Sequence, residues 1–359
     1  MKKLISLFLI CLIPISVSAQ YGPALNKDGS YVTGVLTASF DPQGSFGVAK
    51  SPFPMSLLYS GTTDFTLNIP AADPTNFGDP AVALGTQDGF STTEKWTTSF
   101  ANGTPGSYDN AIPGRIDRAS VSAGQSVRVF EVTTTGFVAV TSIVRELTPW
   151  VDYVAGALTD SVVGIIPLRP LKEYTSYMAV LTNDIKDVDG NNATPDRLYG
   201  LGKATTPWVD AQGNSTYGLF TNAQAQSFER IRQITQSMEL NAASVGIDPA
   251  DIILSWTVQT QSITRTLKTL TAIAEPMPTT IGPAVATTQN LGGLGLANVH
   301  IGIITVPYYA GIPTEENLTA ALTEFWKAAP GAYVPPFDQF GLDPTSTNIT
   351  IANPMPVTT

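Results

Sequence analysis

IIPLRPLKEYTSYMAVLTNDIKDVDGNN, residues 165–192, is the stretch whose reading decides the fold class of this chain. A proline-punctuated apolar segment, residues 162–168, gives way to a short polar connection. A second segment, residues 174–181, alternates and carries Tyr177, Met178 and Val180. Asp189-Gly190 then supplies a tight turn in which Gly190 can take φ > 0. Two strands closed by an Asp-Gly turn describe the edge of a β-sandwich, which is scaffold chemistry and not that of an active site.

Upstream, residues 126–132 followed by 136–144 read as a hairpin with a Thr-rich, Gly-containing connection. Residues 88–207 are therefore expected to form the β-sandwich. Loop chemistry follows it, with Pro207, Asp210, Gly213, Asn214 and Ser215 crowded together. The stretch 20–87 reads as an extended region with few core elements, holding one alternating run at 31–40 and the prolines Pro52 and Pro54. Past Phe220 the period becomes helical. Phe228, Ile231, Ile234 and Met238 share one face, and Gly246 and Pro249 close the run.

Residues 252–258 are a strand candidate, and Ser262 is placed to cap a second helix with Ile263, Leu267 and Leu270 on one face, stopped by Pro276. Residues 299–309 alternate like a strand. A third helix is expected from Thr314, where Glu315 and Glu316 suit the helix dipole, with Leu318, Ala321, Leu322 and Phe325 as its stripe and Pro330-Gly331 as its end. Residues 219–347 are thus expected to be α+β, and residues 348–359 a linker-like tail. The fold class expected is mainly β with an α+β C-terminal part.

The N-terminus carries Lys2 and Lys3, an apolar run and then Val17-Ser18-Ala19, so residues 1–19 read as a secretory signal peptide cleaved after Ala19. The run is shorter than the ~20 residues needed to span a bilayer, and Pro14 interrupts it. Cys11 is the single cysteine and follows Leu9-Ile10, not the small residues of a lipoprotein signal, so lipid attachment is not expected. A chain without disulfides must rest on its hydrophobic core, and this one is long enough for two or three domains. Its 19 basic residues against 29 acidic give a net charge of −10, and loss of Lys2 and Lys3 takes it to about −12. That balance excludes nucleic acid as a natural partner and restricts membrane contact to apolar or zwitterionic surfaces. Only 13% of residues are charged, against 30 Gly and 27 Pro, a loop- and strand-rich profile typical of extracellular proteins.

The chemistry of catalysis leaves no clear mark. The nucleophile elbow G-x-S-x-G does not occur; the nearest strings hold Ser91, Ser126 and Ser215 without the second glycine, and read as turns or strand starts. His300 is the single histidine, which excludes H-E-x-x-H and three-histidine zinc sites. It reads as a packed or edge-strand residue, since a general base needs partners its context does not offer. Asp187, Asp189 and Asn191 imitate the start of an EF-hand loop, but the twelfth position is Leu198 where a glutamate is required, so a hairpin turn is favoured. Gly292, Gly293 and Gly295 lack the lysine of a P-loop and read as a flexible turn. The apolar segment 332–337 is a docking patch or a covered one. No catalytic, cofactor-binding or metal-binding residue is assigned, and no cofactor is expected.

The segment 165–192 resembles the end of bacterial extracellular Ig-like domains. Across a longer span the chain resembles the N-terminal region of the bacterial virulence-factor lipase family, exported lipases and lysophospholipases. The resemblance rests on Pro52-Phe53-Pro54 with Leu57-Leu58, on Thr66-Leu67-Asn68-Ile69-Pro70, on Asp88-Gly89-Phe90-Ser91-Thr92 and on residues 126–132 and 167–191. It continues with SWTVQTQSI at 255–263 and with Ile304-Thr305-Val306-Pro307-Tyr308-Tyr309. In that family this region precedes an α/β-hydrolase domain, to which nothing here corresponds, so no catalytic residue carries over. The resemblance implies a non-catalytic module that supports or presents a hydrolase domain as its partner, with a lipid or membrane surface as a second partner. The location implied is exported: outer membrane, cell surface, medium or periplasm. A self-sufficient esterase with a site near His300 and a stand-alone Ig-like surface-binding module remain as alternatives.

Overall fold

A computed structural model describes residues 36–42, 50–60, 66–69, 71–73, 79–85, 87–102, 112–113, 115–218, 220–264, 268, 271–272, 274–308, 313–320 and 353–358. The chain is mainly β with few helices, in several sheets. It divides into two units, one made of Met1–Ser60 and Gly89–Gln261, the other of Gly61–Asp88 and Ser262–Thr359.

The first unit holds two sheets. One contains β1 (Leu36–Ala38), β2 (Trp96–Asn102), β3 (Ile112–Pro113), β6 (Tyr153–Thr159), β7 (Val162–Pro167) and β9 (Thr194–Pro195), in the order β6-β7-β2-β1-β9 with β3 beside β2. The other contains β4 (Val127–Thr135), β5 (Ala139–Glu146), β8 (Ser176–Thr182) and β10 (Ile252–Gln259), in the order β10-β8-β4-β5. The expected hairpin is β4–β5, antiparallel, with two register shifts along it. The two sheets share a core. The Trp96 ring on β2 lies 6.4 Å from Tyr177 on β8, and the buried Tyr153 hydroxyl on β6 donates to the Val127 carbonyl on β4 at 3.0 Å.

The quoted segment 165–192 is not a sheet edge. Its strands are interior: β7 lies between β6 and β2, and β8 between β10 and β4. Every residue of β8 is buried, so it does not alternate in exposure. The reason is that its sheet is covered on both faces. Beyond the shared core, helix α3 (Asn222–Ser244) packs on β5 and β10, and the Val140 N–H donates to the Ser237 hydroxyl at 3.0 Å. A strand covered twice reads as a continuous apolar run. The extended region also supplies core: Leu36, Ala38 and Phe40 are buried, and β1 pairs antiparallel with β2 and parallel with β9.

Helix α3 forms where the apolar period lies. Thr221 and Gln224 close a capping box at its start, and Gly246 at φ 82° follows its end. Two shorter helices are α1 (Pro80–Gly85), in the second unit, and α2 (Arg197–Gly202), capped by Asp196. No helix among the described residues is long and apolar enough to cross a membrane.

In the second unit β11 (Thr279–Thr287), β12 (Asn298–Tyr308) and β13 (Asn353–Thr358) form an antiparallel sheet with β12 in the centre. Residues 353–358 therefore pair as a strand where a linker-like tail was expected, because β12 offers them a free row of backbone partners. Ser262 does not act as the expected helix cap; its N–H and hydroxyl both donate to the Asp88 carboxylate, at 2.8 and 2.6 Å. Leu267, Leu270 and most of the third expected helix, residues 321–331, lie outside the described residues, as does the apolar segment 332–337.

Candidate functional site

Three polar clusters in the first unit hold the side chains from which chemistry could be built. The deepest joins α2, α3 and β10. Tyr199 and Lys203 lie one helical turn apart, and Glu239 and Ser255 face them. The Tyr199 hydroxyl donates to Glu239 Oε1 at 3.1 Å, which leaves the Ser255 hydroxyl, 2.7 Å away, to donate to Tyr199. Lys203 Nζ donates to Glu239 Oε1 at 2.7 Å and to the carbonyls of Pro249 and Ile252. Burial pushes the Tyr199 phenol well above its ordinary range, and the Glu239 charge adds to this. Burial lowers Lys203 and raises Glu239, with each partner's charge opposing the effect. A serine, a phenol, an amine and a carboxylate in hydrogen-bond contact are the residue types of nucleophilic catalysis. Here, however, Ser255 and Tyr199 are both 0% exposed, so the cluster ties three elements together and offers no substrate an approach.

The second cluster is a chain of ion pairs. Arg145 bonds Glu131 at 3.0 Å and Asp152 at 2.9 Å; Arg169 adds to Asp152 at 2.9 Å and Lys172 to Glu131 at 2.8 Å. Burial raises both carboxyls. Lys172 and Arg145 more than offset it at Glu131, and the Thr148 N–H together with Arg145 does so at Asp152, so both lie below the usual range. Carboxylates held ionised in this way are poorly suited to general acid–base work near neutral pH.

The third feature is a repeated loop. Asp187-Val188-Asp189-Gly190-Asn191 and Asp210-Ala211-Gln212-Gly213-Asn214 share the pattern D-x-x-G-N and fold alike. In each, the first carboxylate accepts N–H bonds from the third and fifth residues and the amide of the closing Asn. Gly190 and Gly213 take φ 87° and 81°. The EF-hand-like spacing is thus a turn, its carboxylate oxygens occupied by the loop's own donors. Among the described residues no group of three or more His, Cys, Asp or Glu is arranged to hold a metal ion.

The near-elbow serines serve turns. Ser126 Oγ donates to the Ser120 carbonyl at 2.7 Å, Ser215 Oγ donates to the Tyr217 carbonyl at 2.8 Å, and Ser91 Oγ accepts the Thr93 N–H at 3.2 Å. His300 lies on the central strand β12, exposed, with Nδ1 3.0 Å from the Gly282 carbonyl oxygen. It is neither packed in a core nor on an edge strand. Gly292 and Gly295 lie in the β11–β12 turn at φ 81° and 75°.

Two family-like stretches, distant in sequence, are neighbours in space. The Phe90 N–H donates to the Gln259 carbonyl and the Gln261 N–H to the Phe90 carbonyl, both at 2.8 Å. A Cβ on Gly89 would overlap the backbone of Thr260 and Gln261. DGFST and SWTVQTQSI are therefore two sides of one backbone junction, and Gly89 is glycine because another chain segment occupies the space of its side chain.

The deep cluster escaped the sequence reading. Its signal was polar residues in core phase: Glu239 one place after Met238 in the buried stripe, Ser255 inside the apolar run 252–258, and Tyr199 and Lys203 at i, i+4.

What the geometry defines is a β-rich module whose clustered polar residues serve to join its elements. Residues 49–288 match the family described as bacterial virulence factor lipase N-terminal, and the chain belongs to that family. No curated protein and no solved structure gives a match.

Proposed function

We propose that this chain is the non-catalytic N-terminal module of an exported bacterial lipase or lysophospholipase, supporting or presenting an α/β-hydrolase domain that supplies the catalytic serine, acid and histidine. The observation that carries the reading is the family membership over residues 49–288, within which Ser91, Ser126 and Ser215 are each engaged in local turns. We read the two-sheet unit as Ig-like. Its support is the way the chain passes between sheets, with β4–β5 paired in one, β6–β7 in the other and β8 back in the first. The module acts after export, at the outer membrane, on the cell surface, in the medium or in the periplasm.

The test is hydrolysis of short-chain nitrophenyl esters and of a lysophospholipid by the purified chain, with His300→Ala alongside. Turnover no greater than buffer is expected for both proteins. Turnover by the unmodified chain that the substitution abolishes would overturn the reading and make His300 the centre of a catalytic site.

A further inference from the structure

The strands β11 and β12 meet in a hairpin tip built almost entirely of apolar and small residues, Leu291-Gly292-Gly293-Leu294-Gly295-Leu296-Ala297. Its three leucines are 72%, 89% and 85% exposed. Isolated exposed leucines need no explanation, but three on one tip form a patch. Farther along the same hairpin Val285 and Ile301 are 58% and 52% exposed.

Two further observations concern what this surface would meet. Between Glu275 and Glu315 the sequence has no Asp, Glu, Lys or Arg. In a chain of net charge −10, so long an uncharged stretch is a local departure from the rest. The base of the tip is tied by its own hydrogen bonds. The Thr288 N–H donates to the Ala297 carbonyl at 2.9 Å, Gly293 to Thr288 at 2.8 Å and Gly292 to Gln289 at 3.1 Å. Asn290 Oδ1 accepts both the N–H and the hydroxyl of Thr287 at 2.9 Å. The leucine side chains, being largely exposed, add little packing to the tip itself. These pairings lie at the base of the tip and lower the cost of bringing it towards an apolar medium, because unpaired groups would have to be stripped of water.

We propose that the tip at residues 291–297 inserts into the interfacial region of a phospholipid surface, with Leu291, Leu294 and Leu296 entering the headgroup–acyl boundary. The occupant is a neutral, zwitterionic lipid surface: the acidic chain gains nothing from anionic headgroups, and the tip itself brings no cation to them. The inference deepens the reading of a lipase-system module and rests on it for the nature of the surface.

The experiment is co-sedimentation of the full chain with phosphatidylcholine vesicles, beside the double variant Leu294→Asp, Leu296→Asp and vesicles containing phosphatidylglycerol. The unmodified chain pellets with phosphatidylcholine and no better with the anionic vesicles. The double variant loses on the order of 100-fold in partitioning while its thermal midpoint stays unchanged, since both side chains are exposed. A Leu294→Trp variant gives an independent reading through a blue shift of its emission on adding vesicles. The proposal fails if the unmodified chain stays in the supernatant, if the double variant pellets equally well, or if the leucines instead hold two copies together and the variant converts a dimer to a monomer. Failure of vesicle binding leaves the module reading intact, whereas ester turnover by this chain overturns that reading and leaves the vesicle result standing.

Discussion

Asp196 carries the chain's clearest conflict between position and charge. It is 0% exposed, its Oδ1 accepts the Leu198 N–H at 3.0 Å as the cap of α2, and its Oδ2 has no hydrogen-bond partner. Burial, with Asp41 adding a like charge, pushes its carboxyl up to about 7 against the Leu198 and Phe40 N–H groups that oppose it. An acid whose folded value lies above its unfolded one binds its proton more tightly when folded. Its contribution to stability is complete below about pH 4 and is lost as pH rises to about 7, on the order of 4 kcal/mol in all. Asp196→Asn keeps a cap acceptor and removes the charge. It is expected to flatten the pH 4–8 dependence of the urea midpoint and to raise stability at pH 8 by about 1–2 kcal/mol; an unchanged pH dependence would show that Asp196 is not the group responsible. Nothing in the sequence marked this residue. Asp before a helix reads as an ordinary cap, and the burial that alters its chemistry arises from elements far apart in the chain.

At the scale of elements, two glycines separate local from tertiary demands. Gly190 sits at φ 87° with open space around it, so Gly190→Ala meets only the backbone cost of a left-handed residue, about 1–2 kcal/mol. Gly89 lies where a Cβ would overlap the Thr260 and Gln261 backbone. Gly89→Ala must move a strand end, and about 3 kcal/mol or more is expected. Denaturant unfolding of the two variants checks the order; equal losses would remove the close approach as the reason for Gly89. The Gly190 turn was legible because turn chemistry is local. The reason for Gly89 was not, because the segment that excludes its side chain lies some 170 residues away. The same contrast holds for strands. Residues 126–132, 162–168 and 252–258 were readable from apolar runs, whereas the place of β8 inside its sheet and the pairing of β1 with β9 depended on partners no local window contains.

At the scale of the molecule, stability rests on apolar packing within its units, in which the buried ion pair of Lys203 with Glu239 joins the end of α2 to α3. With Cys11 as the single cysteine, no disulfide can form within the chain. Adding a thiol reductant is therefore expected to leave the thermal midpoint unchanged, and a shift of several degrees would show that residues 1–19 are retained and that Cys11 links two chains. Sequence by itself determined the β-rich class, the helical run after Phe220, the turn glycines and an ordered series of motifs that names the family. These follow from local periodicity, turn geometry and residue order, which need no partner to be read. Only the tertiary structure decided which strands are covered on both faces, that DGFST and SWTVQTQSI share one backbone junction, and that Tyr199, Lys203, Glu239 and Ser255 meet away from water. Burial is a property of a residue's neighbours, and burial sets both how a carboxyl titrates and whether a hydroxyl can reach a substrate.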